Sequence, residues 1–416
     1  MVILPLMATV PPLRDPLSTP FTPGYGALPR VFAGRESEFR DLEVMAARTR
    51  AGIYEQARRV QGIRGIGKTV LLGEYEQWAS DSGLWVTSLT VAPGAGFLGR
   101  LVGELGRTIA AHSPTDRTVR RVLAVLRFLT AVGLRYGGEA WHLEYRGRPV
   151  TPDAARTTGD TQEDLRRLLV DAALLARDRG TGLVLLLDEA QNADTAELAP
   201  LLYALQDAQK HVLTERDTAS GRTLRSSPPL AVVLAGLPNL PDAIARAAAT
   251  FMSRSRPIEL GPLPESAVRK ALPEFTRPHG VDWDGFALDR IVELIDGYPY
   301  FLHVYGYHAW ASGDGPVITP DDIDRAAMLA VPTITAFYQE RLGRLSALQR
   351  RVVDAVAGLP AGSRTADRIA AELGRGGSAT IGSTLRRLVD AGILLRQGRG
   401  VYDLALPGLD RHLDRP

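Results

Sequence analysis

The run Gly62-Ile63-Arg64-Gly65-Ile66-Gly67-Lys68-Thr69 constrains this chain more than any other stretch, because it fits G-x-x-x-x-G-K-[ST] without a gap. Its glycines let the backbone curl so that successive N–H groups point inward, where they form an anion-binding concavity. A short strand over Arg58–Gln61 is expected before the loop and a helix over 69–80 after it. The helix adds its positive N-terminal end to the concavity. The spacing predicts Lys68 on the β- and γ-phosphates of a nucleotide and the Thr69 hydroxyl on Mg²⁺. Val70 closes the nucleotide-binding segment.

A second signal agrees with the first. Leu183-Val184-Leu185-Leu186-Leu187 is a continuous apolar run, the mark of a strand buried on both faces of a parallel sheet. It ends in Asp188-Glu189, and ligands bind at that edge of such sheets. Asp188 is expected to hold the metal and Glu189 to polarise an attacking water. A similar run, Leu230 to Ala235, precedes Asn239. Gln191 and Asn239 are therefore candidates for contact with the terminal phosphate or the water. Arg254 and Arg256 precede the last expected strand, Pro257–Leu260. A guanidinium supplied by a neighbouring copy of the chain would stabilise charge developing in phosphoryl transfer.

Composition narrows the ligand. Only three of the 49 basic residues are lysines, Lys68, Lys210 and Lys270, and none lies in the Asn-Lys-x-Asp segment of guanine-specific proteins. ATP with Mg²⁺ is the expected pair. With no cysteine, thiolate metal sites and disulfides are excluded, which suits a reducing cytoplasm. The seven histidines show no zinc-site spacing. A net charge of +2 does not call for a polyanion partner along the whole molecule. Met1 to Leu13 has no basic start and carries Pro5, Pro11 and Pro12, so no signal helix is expected there. No apolar run reaches the roughly 20 residues of a membrane span.

The pattern of segments predicts four regions. Residues 1–29 read as an extended arm. Residues 30–262 read as a three-layer α/β domain with a parallel sheet. It includes helices over 97–111 and 117–132, a hairpin or loop insertion over 137–160, and a loop over 215–229. Residues 263–333 read as helices only. Residues 334–416 read as three helices, 345–358, 365–373 and 378–391, followed by a hairpin around Gln397-Gly398-Arg399-Gly400. From 341 onward there are thirteen arginines and no lysine against seven acidic residues.

These residues resemble a known group. Phe32-Ala33-Gly34-Arg35-Glu36, the phosphate loop, Asp188-Glu189-Ala190-Gln191, Arg254/Arg256 and Gly297-Tyr298-Pro299-Tyr300-Phe301-Leu302 look like AAA+ P-loop ATPases related to replication initiators and to STAND signalling ATPases. The resemblance implies that Val31, Phe32 and Gly34 line the adenine pocket and that Pro299 of a helical lid packs near the nucleotide. The arginine that initiator-type lids usually carry has no match here, which implies a slow, switch-like cycle. The last region resembles a winged helix-turn-helix domain. In that arrangement Thr380, Ser383, Arg386 and Arg387 of the third helix, with Arg396 and Arg399 of the wing, would contact double-stranded DNA. Two other roles stay open: a STAND-like switch whose last domain docks a protein, and a helper ATPase for transposition or secretion.

Overall fold

The computed structural model describes residues 14–24, 28–94, 96–112, 160–216, 221–247, 254–398 and 400–413. It also describes two antiparallel two-residue strands, Glu144–Tyr145 and Arg148–Pro149. The helix expected over 117–132, the rest of 137–159, and Arg399 lie outside the described residues. The chain divides into two compact units. One comprises Met1–Arg35, Ile63–Val70 and Gly261–Pro416; the other comprises Glu36–Gly62 and Leu71–Leu260.

The second unit is built on a five-stranded parallel sheet. Its strands are β1 (Arg58–Gln61), β2 (Trp85–Thr90), β3 (Leu183–Asp188), β4 (Leu230–Gly236) and β5 (Arg256–Glu259), in the order β2-β3-β4-β1-β5. Every residue of β3 and β4 is buried, as continuous apolar runs require in a sheet covered on both faces. Helices α1 (Glu36–Arg50), α2 (Lys68–Asp81), α3 (Phe97–His112), α4 (Thr161–Asp178), α5 (Thr195–Gln209) and α6 (Leu240–Arg246) alternate with the strands. Asp160 and Asp194 cap α4 and α5 through their side chains, satisfying N–H groups the helices leave open. Leu98, Leu101 and Leu105 of α3, Leu165, Leu168 and Leu169 of α4, and Leu198, Leu201 and Leu205 of α5 share one core.

The arginines of β1 have a specific accommodation. Arg58, 2% exposed, places Nε 2.8 Å from Asp41 of α1 and Nη2 3.0 Å from Glu55. A buried guanidinium is tolerated only when paired in this way. The loop expected over 215–229 departs from expectation: Leu213–Arg216 pairs antiparallel with Thr223–Ser226. Exposed Arg and Thr on this separate two-stranded hairpin hid it, because a strand pattern is legible only where one face is buried.

The first unit is mostly helical: α7 (Glu265–Thr276), α8 (Gly285–Ile295), α9 (Pro299–Ala311) and α10 (Pro320–Leu342). A two-residue parallel pairing of Asp282–Trp283 with Val317–Ile318 interrupts what the sequence suggests is helix alone. Thr319 and Asp322 form a capping box at the start of α10. The helix then runs unbroken across the expected boundary at 333/334, even though Pro332 lies within it. Beyond it come α11 (Ala347–Gly358), α12 (Ala366–Glu372), α13 (Gly382–Asp390), the antiparallel pair β6 (Leu394–Gly398) and β7 (Val401–Leu404), and α14 (Leu409–His412). The third helix of this region starts at Gly382, four residues later than expected. Ser378–Thr380 form a separate 3-10 turn after Gly376 and Gly377, so Thr380 precedes the helix that carries Ser383 and Arg387.

The described part of the arm, from Arg14 to Thr22, is anchored to the helices. Arg14 is buried and pairs with Asp322 at 3.0 Å, and Trp310 donates its indole N–H to Asp15 O at 2.9 Å. Phe21 is buried beside Phe275, and a side chain at Gly306 of α9 would overlap its ring. Thr22 N–H donates to His303 Nδ1, and burial pushes that imidazole down to about 4, so it stays a neutral acceptor. Phe21→Ala should therefore lower the stability of this unit by about 3–5 kcal/mol in urea unfolding. A loss under 1 kcal/mol would mean that the arm lies on the surface without holding it.

Candidate functional site

In the first unit the loop Ile63–Val70 is held by its carbonyls. A loop that turns its N–H groups inward leaves its C=O groups needing donors of their own. Three are supplied by side chains. Lys68 Nζ donates to Ile63 O at 3.0 Å, the Tyr298 hydroxyl donates to Arg64 O, and Arg35 Nη2 donates to Ile66 O at 3.1 Å. Arg35 also donates to Gly261 O at 2.5 Å, so one buried guanidinium joins the loop to the start of the helical region. Gly65 and Gly67 have φ of +79° and +99°, in the left-handed region that favours glycine. At Gly65 a second constraint applies: any Cβ would overlap the Tyr298 hydroxyl.

The remaining expected nucleotide contacts of this unit follow from the same elements. Pro299 opens α9 at its first turn, where the missing N–H costs nothing. A methyl on Gly67 would lie 3.9 Å from the Pro299 ring. Gly34 has φ +73°, and a Cβ there would come within 2.8 Å of Ala267, so the turn carrying Val31, Phe32 and Gly34 packs tightly on α7. Val31 packs against the apolar core of that unit. Lys68 is buried at the first position of α2, and Thr69 and Arg64 are exposed.

In the second unit the acidic pair sits where the sequence places it. Gly62 leaves β1, Asp188 ends β3 and Gly236 ends β4, and these parallel strands share one C-terminal edge. Gly62 N–H donates to Gly236 O at 3.3 Å. Asp188, 6% exposed, accepts the N–H of Glu189 on Oδ1 at 2.8 Å. Glu189 itself is left-handed, with φ 53° and ψ 34°. A non-glycine residue in that conformation is strained and is held there by its surroundings. Gln191 does not project freely: its amide donates to Glu189 Oε2 and accepts from Leu237 N–H. Asn239 stands at the N-cap of α6 without capping it, and its Oδ1 is buried with no hydrogen-bond partner.

The two arginines separate. Arg256 begins β5 and reaches Asp41 Oδ1 at 3.0 Å, so it belongs to the Arg58–Asp41 pairing of its own chain. Arg254 is exposed. In the last region Ser383, Arg386 and Arg387 are exposed on α13. The Thr380 hydroxyl donates to Gly377 O at 2.7 Å, and Arg396 Nε donates to Gly398 O at 3.2 Å. Among the described residues, no group of three or more His, Asp or Glu side chains is arranged to hold a metal ion by itself. No helix there is long and apolar enough to cross a membrane.

Sequence reasoning missed the roles of Arg35 and Tyr298 in holding the loop, and it named Gln191 only as a contact for phosphate or water. The first two act on main-chain atoms far along the chain, which no local pattern reveals. The third was assigned to a ligand rather than to its neighbours.

The parallel sheet, with a glycine-rich loop between its β1 strand and the following helix, defines the fold of a P-loop nucleoside triphosphatase. Residues 31–214 match the AAA ATPase domain family, and residues 335–413 match a domain of unknown function (DUF8462). Among solved structures, the Walker-type ATPase paby2304 of Pyrococcus abyssi is similar at 18% identity with a TM-score of 0.55, over 91% of this chain and 95% of that one. The ORC2 protein of Aeropyrum pernix, in its ADP form, is similar at 14% identity with a TM-score of 0.50, over 94% and 95%. At these identities the likeness is one of fold. No curated protein sequence matches the chain.

Arg35 provides the sharpest test of the loop's geometry. Arg35→Ala should weaken Mg·ATP binding at least about tenfold, because the buried Ile66 carbonyl of the loop loses its donor and the loop loses its tie to Gly261. Arg35→Lys should restore little of it, since one ammonium does not reproduce the planar fork. Calorimetry reads both, and unchanged affinity in Arg35→Ala would sink the role.

Proposed function

We propose that this chain is a Mg²⁺-dependent ATPase that works as a slow nucleotide switch on or near double-stranded DNA. The observation that carries the reading is the phosphate loop itself, with its carbonyls tied by Lys68, Tyr298 and Arg35. In this reading the amides of Gly62 to Val70 and the ammonium of Lys68 grip the phosphates. Thr69 and Asp188 hold Mg²⁺, and Val31, Phe32, Gly34 and Pro299 surround the adenosine. Glu189 polarises the water, and Asn239, whose Oδ1 has no partner among the described residues, reads the terminal phosphate. The ADP form of the Aeropyrum pernix ORC2 protein supports adenine nucleotide as the ligand class at the level of fold.

Slow turnover follows from the helical region. The Tyr298 hydroxyl is spent on the Arg64 carbonyl, and α9 contains no arginine to meet developing charge. A neighbouring copy of the chain would supply the missing cation, and Arg254 is the better candidate because Arg256 is engaged by Asp41. In this reading the last region is a winged helix, jointed to the helical lid near Gly343 where α10 ends. Three helices and a hairpin are in place, with an added bridge between Thr365 and Val401. Thr380, Ser383, Arg386, Arg387, Arg396 and Arg399 are its DNA contacts in this reading. Contacts within the first unit suit a switch. Tyr298 packs on Phe337 of α10, and the neighbouring Tyr338 donates its hydroxyl to Pro407 O. A methyl at Gly392 would touch Ile63 of the loop. The alternative is a STAND-like switch whose last domain docks a protein; the Tyr298-Pro299 segment in place of a lid arginine favours it.

Glu189→Gln should keep Mg·ATP affinity within about twofold and lower kcat by at least about a hundredfold. Normal turnover in that variant would remove Glu189 from the chemistry. On random duplex DNA, affinity should fall steeply with salt, and Arg386→Ala with Arg387→Ala should reduce the log–log slope by about 2. Absence of binding at low salt would leave the protein-docking alternative.

A further inference from the structure

Gln191 faces two ways. Its Nε2 donates to Glu189 Oε2 at 2.5 Å, and its Oε1 accepts the N–H of Leu237 at 3.1 Å. The second contact crosses from the turn after β3 to the loop after β4. Room for it is made by Gly236, where any side chain would overlap Gln191 Oε1. At one end of this bridge stands Glu189, on a left-handed backbone. Two residues past the other end stands Asn239, whose Oδ1 is buried without a partner. Asn192 of the same turn is fixed as well, its Nδ2 donating to Val91 O at 3.0 Å.

We propose that Gln191 is a positioning residue: it fixes the Glu189 carboxylate and ties it to the loop that carries Asn239. A glutamate side chain has three rotatable bonds, so a carboxylate meant to orient water needs an external restraint. The Gln191 amide supplies it on one oxygen and leaves the other for the water. Its second hydrogen bond makes the orientation depend on the β4–α6 loop, so displacement of that loop is passed to Glu189. The inference rests on reading Glu189 as the water-polarising group.

Four variants of the full chain test it: Gln191→Ala, Gln191→Glu, Gly236→Ala and the double variant Gln191→Ala/Gly236→Ala. Mg·ATP turnover and affinity are measured on each, with amide hydrogen exchange at Leu237. Gln191→Ala should lower kcat between about tenfold and a hundredfold with Mg·ATP affinity held within about twofold, and should speed Leu237 exchange. Gln191→Glu still offers Leu237 an acceptor but can no longer donate to Glu189. It should therefore keep Leu237 protected while losing turnover, a split that a merely structural turn residue would not show. Gly236→Ala should resemble Gln191→Ala. The double variant should turn over within about twofold of Gln191→Ala, because the shortened side chain removes the overlap with Gln191 and leaves the added methyl only a tight contact with Leu240 at 3.2 Å. A Gln191→Ala enzyme within twofold of wild-type kcat, or with unchanged Leu237 exchange, overturns the proposal. If the wild type binds ATP without hydrolysing it, the hydrolysis reading fails by itself, and the Leu237 exchange alone then decides the bridge.

Discussion

A phosphate cradle made of backbone must solve a problem that side-chain sites do not face. Turning N–H groups toward an anion turns the alternate carbonyls away from it, and each buried carbonyl then needs a donor. In this chain the donors come from three places: the loop's own Lys68, Arg35 just ahead of α1, and Tyr298 at the head of α9. The loop geometry therefore rests on residues far from it in sequence. The same residues connect it to everything else in the first unit. Arg35 continues to Gly261, and Tyr298 continues to Phe301 and Phe337.

This dependence gives the helical region a role beyond covering apolar surface. Phe337 and Tyr338 are adjacent on α10, one packed on Tyr298 and the other bonded to Pro407 O. Packed contacts thus run from Tyr298, bonded to the loop, through α10 to Pro407 of the last region. Packed aromatic clusters of this kind change between discrete arrangements rather than deforming smoothly.

Much of this was legible in the sequence, for physical reasons that differ by element. β3 and β4 were plain because strands buried on both faces leave unbroken apolar runs. The loop was plain because its chemistry demands glycines and a lysine at fixed spacing. The hairpin over 213–226 was not, since both of its faces meet solvent and its side chains carry no alternation. Thr380 was placed on the third helix by helical period alone, but two preceding glycines let the chain break into a separate turn. Arg256 also meets Asp41, on a different element, a partner that its position in sequence does not reveal. Long-range partners of this kind depend on topology, which no local pattern contains.

The central claim is that the amides of this loop are the phosphate ligands, arranged before any ligand arrives. Amide ¹H–¹⁵N spectra of the labelled chain, recorded as Mg·ATP is added, test it most directly. The account predicts large, saturable shifts at Gly65, Gly67, Lys68 and Thr69, with little change along β3 before Asp188. Saturable binding that leaves those four amides unmoved would contradict it, as would a folded sample that does not bind Mg·ATP at all.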